Sequence, residues 1–278
     1  MSGVRRNHLR PSSVAKNVII WMVSASMLVP MLLIVFTSLK GSGDARGMSF
    51  SLPRSWDFGN FAEVIDKGHL GVGFLNSVLY AGAGTMLTVL LASMAAYVFS
   101  RRRSRTNKFL YMFIVMGLVL PINFVALTKV MQLLMLNNAR IGIILLYTAV
   151  QLPFIVFLCY GFVARIPLEL DEAAVIDGCG PIRLFVLIIL PLMRPVLVTA
   201  MVLCFLNMWN EFVLPLYFLG STEKWPMTLA IYGFFGRFET QWNLIAADVL
   251  LTSLPVVIMF IVAQKYIVGG QTEGAVKG

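Results

Sequence analysis

The sequence predicts an all-α integral membrane protein with six transmembrane helices, and three observations carry that prediction. Its mean hydropathy is +0.84, with 59% hydrophobic and only 13% charged residues, against roughly 25% charged in soluble domains. Six apolar stretches, at residues 18–39, 72–100, 108–135, 141–164, 196–219 and 244–268, each supply the about 20 residues needed to cross a hydrocarbon core of about 30 Å. Together they occupy most of the 278 residues and leave no segment of about 100 residues for a separate soluble domain.

The elements follow in order. The first stretch is too long for the apolar region of a signal peptide and is followed by further spans. Residues 1–17 before it read as a cytoplasmic tail, with Arg5, Arg6, Arg10 and Lys16. Gly41, Ser42 and Gly43 mark the turn after it, and Pro53, Trp56 and Phe58 suggest an interfacial segment, because Trp favours the headgroup level. In the second stretch Asn76 and Ser77 are candidate caps of a turn. Small residues from Ala81 to Ala96 allow close helix approach, which places this helix at the centre of the bundle. Pro121 and Pro153 each remove a backbone hydrogen bond and are expected to bend the third and fourth spans.

Charge sets the orientation. Arg101, Arg102, Arg103, Arg105 and Lys108 follow the second span, whereas the connection near residues 137–140 holds only Arg140. In segment 40–71, Lys40, Arg46, Arg54 and Lys67 balance Asp44, Asp57, Glu63 and Asp66. The positive-inside bias therefore places both termini and the loop near Asp171 in the cytoplasm. The formal charge of +9 reads as this bias and as contact with anionic lipid, not as nucleic-acid binding.

The same residues exclude several chemistries. Cys159, Cys179 and Cys204 are an odd set without a disulfide framework, and no Cys or His pair has metal-ligand spacing. His8 and His69 lack companions, no Gly-x-Ser-x-Gly elbow occurs, and no phosphate loop is present. The chain is expected to be no enzyme, to hold no metal or cofactor, and to rely on other chains for nucleotide hydrolysis.

The loop at residues 165–195 is the most informative segment. Pro167 suits a first helical turn, and Glu169, Asp171 and Glu172 lie where carboxylates favour the positive helix end. Ala173 and Ala174 propagate helix, and Gly178 and Gly180 offer a left-handed stop. Pro181 opens a second helix with Ile182, Phe185, Ile188 and Ile189 at helical spacing, which Pro191 and Pro195 end. A short helix from Pro167 to Gly178 on the membrane surface is the expected result.

The spacing Glu172-Ala173-Ala174, three residues, Gly178, nine residues, Ile188-x-Leu190-Pro191 resembles the signature loop of binding-protein-dependent ATP-binding-cassette importer permeases, and Asp177 matches its common form. The block from Asn207 to Leu216, with Trp209-Asn210-Glu211-Phe212, resembles the fifth span of carbohydrate-uptake permeases. The ending from Gln264 to Gly278 resembles the smaller maltose-transporter permease subunit. The likeness covers nearly the whole chain. It implies the type I importer permease fold with a cytoplasmic coupling helix, in a bacterial-type cell membrane. Residues 18–268 would form the permease domain, with coupling loop 165–195 and a cytoplasmic tail at 269–278.

The likeness also implies partners and roles. A homologous second permease, in a heterodimer, would complete the pathway. Two ATPase subunits would bind ATP and Mg, and an extracytoplasmic binding protein would deliver the sugar. Glu172, Ala173, Ala174, Asp177, Gly178, Ile188, Leu190 and Pro191 would couple to an ATPase, whose interface the tail would also enter.

Polar residues in spans face a bundle interior or a wet cavity, which makes Asn123, Gln151, Asn207, Asn210 and Glu211 candidates for the solute path. For each amide, service as interhelical glue is the preferred reading over sugar contact, and the place of Glu211 in the family-like block implies a role at the permease interface over direct sugar readout. Lys129 in the third span and Asp248 in the sixth are further intramembrane ionisable residues. Aromatic residues such as Trp209, Tyr217, Phe218 and Trp242 could stack on a sugar or act as interface anchors. Trp225, Tyr232, Phe234 and Phe235, in segment 220–243, are candidate contacts with the binding protein. Lys129 and Arg237 leave open a phosphorylated polyol such as glycerol phosphate as the solute. A membrane protein that docks or senses without transporting is the alternative from another class.

Overall fold

Apolar periodicity resolves into helices throughout the computed structural model. It describes the backbone of residues 11–102, 104–235 and 240–272, and side-chain surroundings within residues 16–262 and at 264. The order of elements begins with α1 (Pro11–Ser38), α2 (Ser42–Ala45), α3 (Gly59–Lys67), α4 (Leu70–Arg101), α5 (Arg105–Met116), α6 (Phe124–Leu133) and α7 (Arg140–Val163). There follow α8 (Glu169–Ile176), α9 (Pro181–Leu184), a π turn (Phe185–Ile189), α10 (Leu190–Leu192), α11 (Arg194–Trp209), α12 (Val213–Phe218), α13 (Met227–Ala230) and α14 (Trp242–Thr272).

By length and composition, Lys16–Ser38, Leu70–Arg101, Arg140–Val163 and Trp242–Val262 can cross a membrane unbroken, and Pro181–Leu192 with Arg194–Trp209 forms a further pair bent by 77°. The third predicted span is corrected. Residues 117–123 are not helical, so α5 and α6 are separate helices, and Pro121, expected to bend one helix, lies in that break. The fifth stretch is broken too, between α11 and α12. Tail residues 1–10 and 273–278 lie outside the described residues, and α14 continues to Thr272, past the predicted start of the tail at 269.

The chain divides into two compact units, 1–68 with 231–251 and 69–230 with 252–278. In the first, residues 16–32 of α1 are all exposed. Asn60 organises the segment after it, its Nδ2 donating to the Ser38 and Lys40 carbonyls at 2.8 and 2.9 Å while its Oδ1 accepts from Asn243 Nδ2 at 2.7 Å. Lys40, read from sequence as a loop charge, is buried and donates to the Ser49 carbonyl at 2.6 Å. Its length lets the ammonium reach the neutral oxygens of Ser49 and Ser51.

In the second unit α4 is the centre, packed most extensively on α7 and then on α11. Tyr80, Ala81, Ala92 and Ala96 are buried along it. At Gly84 the backbone comes so close to α11 that an added Cβ would lie 2.8 Å from Met208 Sδ. The small residues thus have the packing role predicted for them. Asn76 and Ser77 do not cap a turn: they lie inside α4 and are buried. Asn76 Nδ2 donates to the Glu223 and Trp225 carbonyls at 2.9 and 3.0 Å, and Ser77 Oγ accepts from the Met227 amide at 2.9 Å.

Asn76→Ala would orphan the Trp225 carbonyl and leave the Glu223 carbonyl only its longer bond from Arg140 Nη2 at 3.4 Å, a loss of about 1–3 kcal/mol. Trypsin cleavage of the full chain after Lys224 is expected to quicken several-fold. An unchanged cleavage rate would show that Tyr80, whose hydroxyl donates to the Lys224 carbonyl at 2.8 Å, suffices to hold the loop.

Candidate coupling site

Helix α8 starts with three acids, Glu169, Asp171 and Glu172, in its first turn, where unpaired amides and the helix dipole favour negative charge. It ends in a Schellman motif. The Gly178 amide donates to the Val175 carbonyl at 3.0 Å and the Cys179 amide to the Ala174 carbonyl at 2.9 Å. Gly178 has φ +81°, a left-handed conformation that costs other residues a Cβ clash. Helix geometry therefore covers 169–176, shorter than the predicted 167–178.

One ion pair fixes this helix to the bundle. Arg101, the last residue of α4, donates from Nε to Asp171 Oδ2 at 2.9 Å and from Nη2 to Oδ1 at 3.1 Å. The same Nη2 donates to the Ile166 carbonyl at 3.1 Å, and the side chains are only 10% and 15% exposed. Tyr97, one turn earlier, donates to Asp171 Oδ2 at 3.4 Å and its ring lies 5.4 Å from Phe185. Sequence reasoning missed this anchor. Its only signal was a run of arginines, with nothing to show which one turned inward.

The predicted residues divide between two faces. Ala174 is buried at 4% exposure and faces its own chain, so only Ala173 of the alanine pair is open to a partner. Glu172, Asp177 and Gly178 are exposed with it. Ile188 and Leu190 are half-buried and Pro191 is exposed, in the stretch where the π turn shifts helical register. Ile176, at 85% exposure, is an apolar knob next to Asp177 at the end of α8, and Ile182 at the start of α9 is 78% exposed. Such a knob suits an apolar pocket, and the carboxylates can accept charge-assisted hydrogen bonds from a basic rim.

The candidates for the solute path are placed as follows. Asn207 and Asn210 are exposed at the end of α11, with Asn210 Nδ2 donating to the Leu206 carbonyl at 2.9 Å. Glu211 Oε1 accepts from the Val213 and Leu214 amides at 2.8 and 3.0 Å, so the carboxylate caps α12. Asn123 Oδ1 caps α6 by accepting from the Ala126 amide at 3.1 Å. The ring of Phe124 lies 4.7 Å from Tyr217, which brings the start of α6 beside α12. Gln151 is half-buried in α7, and no hydrogen bond joins it to the others among the described residues. Lys129 is exposed, Asp248 is buried and Arg237 lies outside the described residues.

Of the aromatic candidates, Trp209 and Phe218 are buried, and Trp209 Nε1 donates to the Thr252 carbonyl at 3.2 Å. Trp225 is half-buried, its Nε1 donating to the Leu219 carbonyl at 3.1 Å. Tyr232 and Phe235 are exposed, whereas Phe234 is buried.

The chain is thus a bundle of helices long and apolar enough to cross a membrane, with a short helix, α8, anchored on one of its loops. The sequence profile of the binding-protein-dependent transport system inner membrane component matches residues 88–269, and the chain belongs to that family. It is 32% identical over 259 residues to the melibiose/raffinose/stachyose import permease protein MelC of Bacillus subtilis, covering 92% of this chain and 94% of MelC. It is 34% identical to the diacetylchitobiose uptake system permease protein NgcG of Streptomyces coelicolor, covering 92% of this chain and 85% of NgcG. The fold is also that of a chain from the crystal structure of a bacterial ABC transporter involved in the import of the acidic polysaccharide alginate. That match has a TM-score of 0.81 at 20% identity and covers 95% of this chain and 99% of the other.

Proposed function

We propose that the chain is the permease subunit that moves a di- or oligosaccharide from an extracytoplasmic binding protein into the cytoplasm by alternating access. The observation that carries this reading is likeness to sugar-import permeases along 92% of the chain. Both termini and α8 face the cytoplasm, following the arginine and lysine bias. Two partner ATPases bind ATP and Mg, and α8 seats its knob and carboxylates in a cleft of one of them. A homologous second permease completes the pathway, and residues 16–32 of α1, exposed along their length, offer it an apolar surface. Tyr232 and Phe235 are the segment's exposed candidates for the binding protein. Asn207, Asn210 and Glu211 border the solute path where α11 gives way to α12.

Vesicles reconstituted with the partners test this with labelled oligosaccharides and glycerol phosphate. ATP-dependent oligosaccharide accumulation is expected, and uptake of glycerol phosphate alone would overturn the sugar assignment. Glu172→Lys reverses a charge on the exposed face of α8, where like charges repel a basic partner. It is expected to insert normally but to reduce ATP-coupled uptake by about tenfold or more, equivalent to at least about 1.4 kcal/mol of coupling. Gly178→Asp should act alike by straining the helix stop. Wild-type uptake in Glu172→Lys would remove α8 from the coupling role.

A further inference from the structure

Two adjoining cavities lie at the end of the second unit that carries α8. The larger, about 640 Å³, is walled by α5, α7 and α11 through Tyr111, Phe157, Phe162, Val196 and Leu203, with Arg165 at its end. The smaller, about 430 Å³, is lined by Arg102, Arg105 and Lys108 around the start of α5. Tyr111 and Tyr160 line both, and their stacked rings, 4.1 Å between centroids, stand between them. Asn107 Nδ2 donates to the Arg102 carbonyl at 2.9 Å and its amide to Ser104 Oγ at 3.1 Å, which holds the basic rim in place.

The contents of these cavities are complementary to one kind of molecule. Among the described residues neither is lined by an acid, and no ion pair involves Arg102, Arg105, Lys108 or Arg165. The larger one runs from Arg165 to Phe157, about 12 Å at the helical rise of about 1.5 Å per residue, most of one leaflet of a hydrocarbon core of about 30 Å. Phe109, Met112 and Phe113 on α5 and Phe157 on α7 are exposed beside it, so the groove adjoins an apolar flank. An acidic soluble protein would satisfy the cations and leave the aromatic groove unfilled. A phosphodiester with an acyl chain satisfies both, and basic pockets between spans on the cytoplasmic side favour anionic headgroups.

We propose that these cavities form a binding site for one anionic phospholipid, its acyl chain in the groove of Phe157 and Leu203 and its phosphate among Arg102, Arg105 and Lys108. The proposal rests on the chain being a membrane protein and is independent of which solute it transports.

Native mass spectrometry of the full chain in detergent, titrated with phosphatidylglycerol or phosphatidylcholine, tests it. The wild type is expected to retain one phosphatidylglycerol with about tenfold preference. Arg102→Gln/Arg105→Gln/Lys108→Gln, all at exposed positions, should lose the preference but still bind lipid. Gly161→Phe should lose both, because a Cβ at Gly161 meets no atom within 4 Å and the ring can enter the groove. Preference retained in the triple variant would overturn the site. So would displacement of the lipid by excess inorganic phosphate, which would mark a simple anion site, or association of an acidic partner subunit that the triple substitution abolishes without altering lipid retention. The measurement needs neither sugar nor ATP, so its failure leaves the permease assignment untouched.

Discussion

Arg101→Ala is expected to destabilise the loop carrying α8 by about 3 kcal/mol, the lower end of what breaking a buried ion pair costs. The guanidinium makes two hydrogen bonds to Asp171 and one to the Ile166 carbonyl. Removing it leaves a carboxylate, only 15% exposed, without its cation. Arg102→Ala, at an exposed neighbour, is the control and should change stability by about 0.5 kcal/mol or less. Thermal unfolding of the full chain in detergent reads both. Arg101→Ala/Asp171→Ala should lose less than the sum of the single variants, because no uncompensated charge remains. Equal unfolding midpoints for Arg101→Ala and Arg102→Ala would sink the anchor. In the assembled transporter the same loss would let α8 move without the bundle, so ATP hydrolysis should persist while uptake falls.

Gly142→Ala is expected to be at least as damaging, by about 3 kcal/mol, the upper part of the usual overpacking range. A Cβ at Gly142 would collide with the Leu136 carbonyl oxygen, a backbone atom that cannot rotate aside. That backbone is tied down, since the Leu136 amide donates to the Met131 carbonyl at 2.8 Å. The turn beyond it supports the loop after α12: the Asn138 amide donates to the Phe218 carbonyl at 2.9 Å, and Lys224 Nζ donates to the Asn138 carbonyl at 2.6 Å. Displacing Leu136 therefore loosens two elements together. Gly82→Ala is the control, because a Cβ there meets nothing within 4 Å and alanine favours helix by about 1 kcal/mol. Comparable unfolding midpoints for the two variants would show that the turn yields without cost.

Much of the architecture was legible because a bilayer leaves few choices. Backbone groups in hydrocarbon have to be satisfied within the chain, so the second, fourth and sixth apolar stretches appear as α4, α7 and α14 with ends close to those read from the sequence. The small residues of α4 likewise declared a central helix, because their packing role depends on size alone. The third stretch failed the same reading. Its composition is mostly apolar, but average hydropathy does not register how Pro121 and the preceding turn divide α5 from α6. Glu211 was legible as a polar residue in an apolar block, while its use as the cap of α12 required knowing that α11 stops at Trp209.

The sequence alone determined membrane residence, the order of helices and the position of the loop at 165–195, since these follow from local composition and from spacing along one chain. The tertiary structure decided which charge anchors α8, which alanine of its pair faces outward and where Asn76 and Ser77 spend their hydrogen bonds. Each of these joins residues far apart in sequence, Arg101 to Asp171 and Asn76 to Trp225, and no local pattern records which distant partner a side chain meets once the helices pack.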